Sequence, residues 1–226
     1  MYRTLSLFIF CFFILSCESD TLLSIPTERV GLDGLSISKL NISGSYLYAC
    51  AGPSGLFRMS IHSTSPWAYL GLADSTLFIW YNGVTDVDVK GNDILASYVG
   101  NYSAPFKPGL WRSTDDGATF LPSDSGITDS KSSYGYVNEL SRRWNEVASG
   151  VAVHNGIFAT SDSGRSWKSV GEEIFPRQYG PPGPFERVKC HPIRANQFWV
   201  YGYNPSQGSY LYRSSDGGVN WQDFRT

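Results

Sequence analysis

At 226 residues the chain is long enough for one well-buried domain, and 18 basic against 20 acidic side chains leave it near neutrality, at −2. That balance gives no electrostatic case for nucleic acid or for anionic lipid surfaces, so both are excluded as main partners. Many aromatics (15%), few charges (17%) and frequent Gly and Pro describe an all-β domain.

Met1 to Ser16 reads as a signal peptide: Arg3 stands near the start, then an apolar run from Leu5 to Leu15 holds Phe8, Phe10, Phe12 and Phe13. The run is short for a bilayer span and sits at the N-terminus, which favours a signal over a membrane helix. Ile14-Leu15-Ser16-Cys17 resembles the bacterial lipobox. The resemblance implies that Cys17 becomes the lipidated N-terminus; the alternative is an ordinary secretory signal cleaved nearby. Removing Met1 to Ser16 takes Arg3 with it, leaving 17 basic against 20 acidic groups. Residues 17–32 read as the lipidated cysteine and a polar tether, so an exported lipoprotein of the bacterial cell envelope is expected, its leaflet open.

From Asp33 to Thr226 a repeat takes over. Gly55-Leu56-Phe57-Arg58, Gly109-Leu110-Trp111-Arg112, Gly156-Ile157-Phe158-Ala159 and Tyr210-Leu211-Tyr212-Arg213 occupy equivalent places, spaced 54, 47 and 54 residues apart. Such a period suits propeller blades rather than solenoids of shorter units. Alternating or clustered apolar residues between turn signals predict four strands in each unit. The first has 36–42, 46–50, 56–59 and 67–70; the second 85–89, 94–98, 110–113 and 120–122. The third has 136–140, 147–153, 157–160 and 167–170; the fourth 187–190, 198–203, 210–214 and 221–224.

In three units the third strand runs into an octet of the form Ser/Thr-x-Asp-x-Gly-x-x-aromatic. Its fixed residues are Ser113, Asp115, Gly117 and Phe120; Thr160, Asp162, Gly164 and Trp167; and Ser214, Asp216, Gly218 and Trp221. Hydroxyl and carboxylate can accept from nearby backbone N–H groups, Gly supplies a positive φ, and the aromatic packs back on the sheet. The octets resemble the Asp-box of the BNR-repeat propellers, a group that includes sialidases, the photosystem II stability factor, sortilin-type receptors and some glycoside hydrolases. The resemblance implies an all-β propeller of four-stranded antiparallel blades in which these Asp residues form turns rather than act as acids. The first unit lacks the octet, as a terminal repeat can. Four units make either a small closed ring or an incomplete propeller open to self-association. An open arc would expose apolar faces at its two ends.

Chemistry is sparsely signalled. Asp86 and Asp88 alternate with Val on an innermost strand, so both point to one face, and with Glu139 they are the weak catalytic candidates, near a channel mouth. The competing reading makes them part of a solvated polar channel balanced by Lys90, Arg187 and Lys189. A sialidase-like site would need convergent arginines and an Arg-Ile-Pro motif, and Ser24-Ile25-Pro26 and His191-Pro192-Ile193-Arg194 only approximate the latter. The histidines have no metal-ligand spacing, so neither metal nor cofactor is expected. Loop aromatics Trp80, Tyr81, Tyr102, Phe106, Tyr134 and Tyr179 suit docking of protein or glycan, or else core packing. Cys50 and Cys190 would meet in a closed ring and could pair there, or remain free thiols. The expected function is a membrane-anchored, non-catalytic binding or assembly module for protein or glycan, with a carbohydrate-active hydrolase as the alternative.

Overall fold

A computed structural model describes residues 31–63, 65–74, 83–99, 109–127, 139–142, 150–153, 157–171, 185–191, 193–204 and 208–224. Their regular structure is sixteen strands in four antiparallel sheets, each sheet built from four consecutive strands. Blade 1 holds β1 (Lys39–Ser43), β2 (Tyr46–Cys50), β3 (Leu56–Ser60) and β4 (Ala68–Gly71). Blade 2 holds β5 (Gly83–Lys90), β6 (Asp93–Val99), β7 (Gly109–Ser113) and β8 (Leu121–Pro122). Blade 3 holds β9 (Glu139–Arg142), β10 (Gly150–Val153), β11 (Ile157–Thr160) and β12 (Lys168–Val170). Blade 4 holds β13 (Phe185–Cys190), β14 (Phe198–Asn204), β15 (Gly208–Ser214) and β16 (Gln222–Asp223). All sixteen fall on or beside the expected segments; of the segment expected at 136–140, residues 136–138 lie outside the described residues.

The blades follow one another in order, with β1 against β5, β5 against β9 and β9 against β13. Among the described residues no comparable packing joins blade 4 back to blade 1. The arrangement is therefore an incomplete propeller rather than a closed ring of four. Of the two alternatives left open for Cys50 and Cys190, the structure holds no disulfide between them. The reason is topological: Cys50 is buried between blades 1 and 2, Cys190 packs at the junction of blades 3 and 4, and no ring brings them together.

Strand register divides each sheet into two faces. In blade 1, Tyr48, Cys50 and Leu56 lie on the face that meets Val84, Val87, Val89, Ile94, Ala96 and Tyr98 of blade 2. Leu95 and Leu110 on the opposite face of blade 2 pack with Phe158 and Trp167 of blade 3. Ile157 of blade 3 packs in turn with Val188, Phe198, Val200 and Tyr210 of blade 4. Blades 2 and 3 thus bury a forward face on the next blade and a rear face on the one before, and among the described residues the core is a row of three such layers.

Candidate functional site

The recurring octets come first, because they hold the blade junctions. In the first, the Ser113 hydroxyl donates to Asp115 Oδ1 (2.7 Å) and accepts the Gly117 amide (2.8 Å). Asp115 also accepts the Thr119 amide (2.9 Å) and the Thr119 hydroxyl (2.6 Å). Thr160, Asp162 and Ser166 repeat this network, and so do Ser214, Asp216 and Asn220, with an amide side chain donating at 2.7 Å. The seventh position is thus a third polar anchor. The sequence carried the signal, Thr119, Ser166 and Asn220 all being short side chains with a donor, but the pattern as read left that position open.

Electrostatics follow from those bonds. The Thr119 hydroxyl, with the Ser113 hydroxyl and the Thr119 amide, pulls the Asp115 carboxyl down to about 2. At Asp162 burial acts in the opposite direction, yet the bonds from Ser166 and Thr160 prevail and the carboxyl is lowered. At Asp216 the amide and side chain of Asn220 do the same. A carboxylate whose oxygens are occupied and whose proton affinity is depressed is a poor general acid, and these three serve as turn anchors.

The turns also reach across junctions. The fifth-position glycines have φ of +88°, +85° and +91°, and a Cβ on Gly117, Gly164 or Gly218 would meet Leu70, Leu95 or Val170 of the preceding blade. Trp167 donates its indole N–H to the carbonyls of Gly164 (3.2 Å) and of Ser123 in the strand-edge loop of blade 2 (2.9 Å), while the Ser123 hydroxyl donates to the Gly164 carbonyl. Trp221 repeats the indole bond to Gly218 (3.0 Å).

Along the inner rim, β1 is tied to β5 by side chains. Asn41 donates to the Val87 carbonyl (2.8 Å) and Ser43 to the Val89 carbonyl (3.0 Å), and Lys39 Nζ lies 3.1 Å from Asp86. Asp86 is 2% exposed, accepts its neighbour Val87's amide (2.8 Å), and Asp88 is also buried. The expected alternation holds, since Val87 and Val89 join the blade 1–2 core. Both carboxylates are nevertheless buried rather than solvated, and Lys39 of β1 is one cation that meets Asp86. Glu139 lies on β9, paired in register with Val153. Two further polar groups escaped sequence reading. Tyr98 donates to buried Asp74 (3.1 Å), with burial and the adjacent carboxylate raising the phenol's pKa; Arg58 on β3 joins Asp116 of the next blade's turn.

Arg58 fills the junction of blades 1 and 2. Its guanidinium bonds to Asp116, approaches the Tyr48 hydroxyl and lies 4.6 Å from the Tyr46 ring centre. At the junction of blades 3 and 4 the equivalent residues are Ala159 and Gly217. There a groove of about 200 Å³ opens, lined by Ala159, Ser161, Lys168, Asn196, Asp216 and Gly217 among others. The expected docking aromatics Trp80, Tyr81, Tyr102, Phe106, Tyr134 and Tyr179, and the lipidation site Cys17, lie outside the described residues. Among the described residues no three His, Cys, Asp or Glu side chains converge as a metal site would require.

No protein-family model matches this chain, and no curated protein does. Solved structures do. The GH74 xyloglucanase from Xanthomonas campestris aligns at a TM-score of 0.59 and 13% identity, covering 81% of this chain and 28% of that one. A GH74 enzyme from Niastella koreensis aligns at 0.56 and 17%, covering 79% and 27%. YCF48 from Cyanidioschyzon merolae aligns at 0.55 and 15%, covering 87% and 58%. The chain spans about a quarter of the length of those GH74 enzymes and over half of that YCF48 chain. At such identities the likeness shows the fold alone: these four sheets are blades of a β-propeller.

Proposed function

We propose that this chain is an exported, lipid-anchored, non-catalytic Asp-box module that docks a protein partner at the groove between blades 3 and 4. The carrying observation is that groove, open where Arg58 fills the first junction. Its volume of about 200 Å³ is smaller than the ~300–1,000 Å³ of small-molecule sites and suits a single inserted side chain. The burial of Asp86 against Lys39 supports a structural role for the acidic residues once considered for catalysis. Export and anchoring rest on the Met1–Ser16 run and on Cys17.

The test is photo-crosslinking from Ser161, at the groove, compared with Thr114, its counterpart in the first octet, in the full chain in its native envelope. A protein adduct formed from Ser161, absent from Thr114 and abolished by Ala159→Arg supports the reading. Equal adducts at both positions would overturn the groove. Turnover of chromogenic glycosides, abolished in Asp86→Ala, would replace the whole reading with a hydrolase.

A further inference from the structure

We infer that the side chain received by the groove between blades 3 and 4 is a carboxylate, an Asp or Glu of the protein partner, and that Lys168 is the cation that holds it; this rests on the docking reading above. The starting point is the residue that closes each third-strand motif. Arg58, Arg112 and Arg213 hold that place in blades 1, 2 and 4, and each donates to an oxygen of this chain: Asp116 of the next blade, Asp93 of its own sheet, and Gln222 (3.2 Å). Blade 3 has Ala159 there. Its cation stands on the paired strand instead. Lys168 on β12 lies opposite Ala159 in register, where Ala68 on β4 lies opposite Arg58. Residues directly opposite in an antiparallel pair share a face, so Lys168 stands on the side of the sheet from which Arg58 reaches its partner.

Blade 4 lacks the other half of the pair, because Gly217 takes the place that Asp116 has in the turn of blade 2. The two positions are equivalent in structure: the Asp116 amide donates to the Asn92 carbonyl (3.1 Å) and the Gly217 amide to the Asn196 carbonyl (2.7 Å). Lys168 and Gly217 both line the groove. Lys168 is exposed, and among the described residues its ammonium has no ion pair. Asp216 also lines the groove, but its oxygens are taken by the Ser214 hydroxyl (2.9 Å) and by the Asn220 amide (2.9 Å) and side chain (2.7 Å). At the first junction Asp115 does the same work beside Asp116, so that junction already holds a turn carboxylate, a second carboxylate and one cation. A carboxylate from a partner recreates this set. A partner's Lys or Arg would instead meet Lys168 as a like charge. The apolar part of the lining, Ala159, Val170 and Phe198, suits the short stem of an Asp or Glu.

The test reads the Ser161 photo-adduct of the full chain in its native envelope across four variants. Gly217→Asp supplies the missing carboxylate from within, and Gly217→Asn is its uncharged match in size. Both fit, since Asp116 holds the equivalent position at φ +61° and a Cβ on Gly217 would meet nothing nearer than 3.7 Å beyond its chain neighbours. The adduct should fall about tenfold in Gly217→Asp and in Lys168→Met, as for the loss of one charge-assisted contact. It should persist in Gly217→Asn and Lys168→Arg, and the crosslinked segment, sequenced by mass spectrometry, should contain an Asp or Glu. Equal yields from Gly217→Asp and Gly217→Asn, a wild-type yield from Lys168→Met, a loss in Lys168→Arg, or a crosslinked segment free of Asp and Glu would overturn the carboxylate and leave the groove a docking site. No adduct from Ser161 in the wild type would overturn the docking reading and this inference with it.

Discussion

The junction between blades 1 and 2 and the junction between blades 3 and 4 share a scaffold: a third strand, a turn from the next blade, and an apolar layer between. In the first, Arg58 crosses to Asp116 and lies over Tyr46, while Lys39, Asn41 and Ser43 bind β5 along the inner rim. In the second, Ala159 and Gly217 replace Arg58 and Asp116, and a groove takes the place of the ion pair. At these two junctions that residue pair marks the difference between polar closure and an accessible groove. The framework meanwhile depends on the three-fold turn network common to the octets.

The turn glycines are the place to break that comparison with the largest effect. A Cβ on Gly218 would lie 2.6 Å from Val170 Cβ, a short branched side chain with no room to retreat. On Gly117 it would lie 3.2 Å from the end of Leu70, which can yield. Both substitutions carry the left-handed backbone penalty of about 1–2 kcal/mol. Gly218→Ala adds overpacking of about 1–3 kcal/mol. Urea unfolding should therefore show Gly218→Ala losing clearly more stability than Gly117→Ala; equal losses would mean that the two junctions are equally tight.

Arg58→Ala comes next, with an expected loss of about 2 kcal/mol from the bonded Tyr48 hydroxyl and the cation–π contact. The ion pair itself adds little, because Asp116 is 44% exposed on its side chain. The variant should open a groove at the first junction resembling that at the third. Ala159→Arg, the reciprocal change, should close the third at small cost in stability. If Arg58→Ala leaves the urea midpoint unmoved, the closed and open junctions differ only in shape.

How much of this was legible beforehand tracks the range of each interaction. The octets were readable because each closes within eight residues: Ser113, Asp115 and Gly117 need nothing beyond their own turn. The strands were readable from alternation, and the expected first strand of the third unit overlaps β9 at Glu139 and Leu140. Arg58 was not readable as the partner of Asp116, 58 residues away, since their meeting depends on how two blades dock. The burial of Asp86 escaped for the same reason. Alternation set its face relative to Val87, but burial depends on how neighbouring elements pack around β5, which alternation does not report. Cys50 and Cys190 were placed in the right strands, and whether they pair stayed open because it depends on how distant blades meet.

The smallest effect is set by pH, and it addresses what the junctions share. Asp115 titrates at about 2 in the folded chain, against roughly 3.9 when unfolded. A depressed folded value means that the group's contribution is complete above about pH 4 and fades as pH falls toward 2, because the unfolded chain takes up the proton first. Asp162 and Asp216 are lowered in the same direction and add to the same acid limb. Asp115→Asn keeps an oxygen for the Thr119 amide but removes the charge. Its melting temperature should be lower than wild type near neutrality, and its decline between pH 4 and pH 2 shallower. A wild-type slope in that variant would show that the turn carboxylates hold the junctions by shape alone.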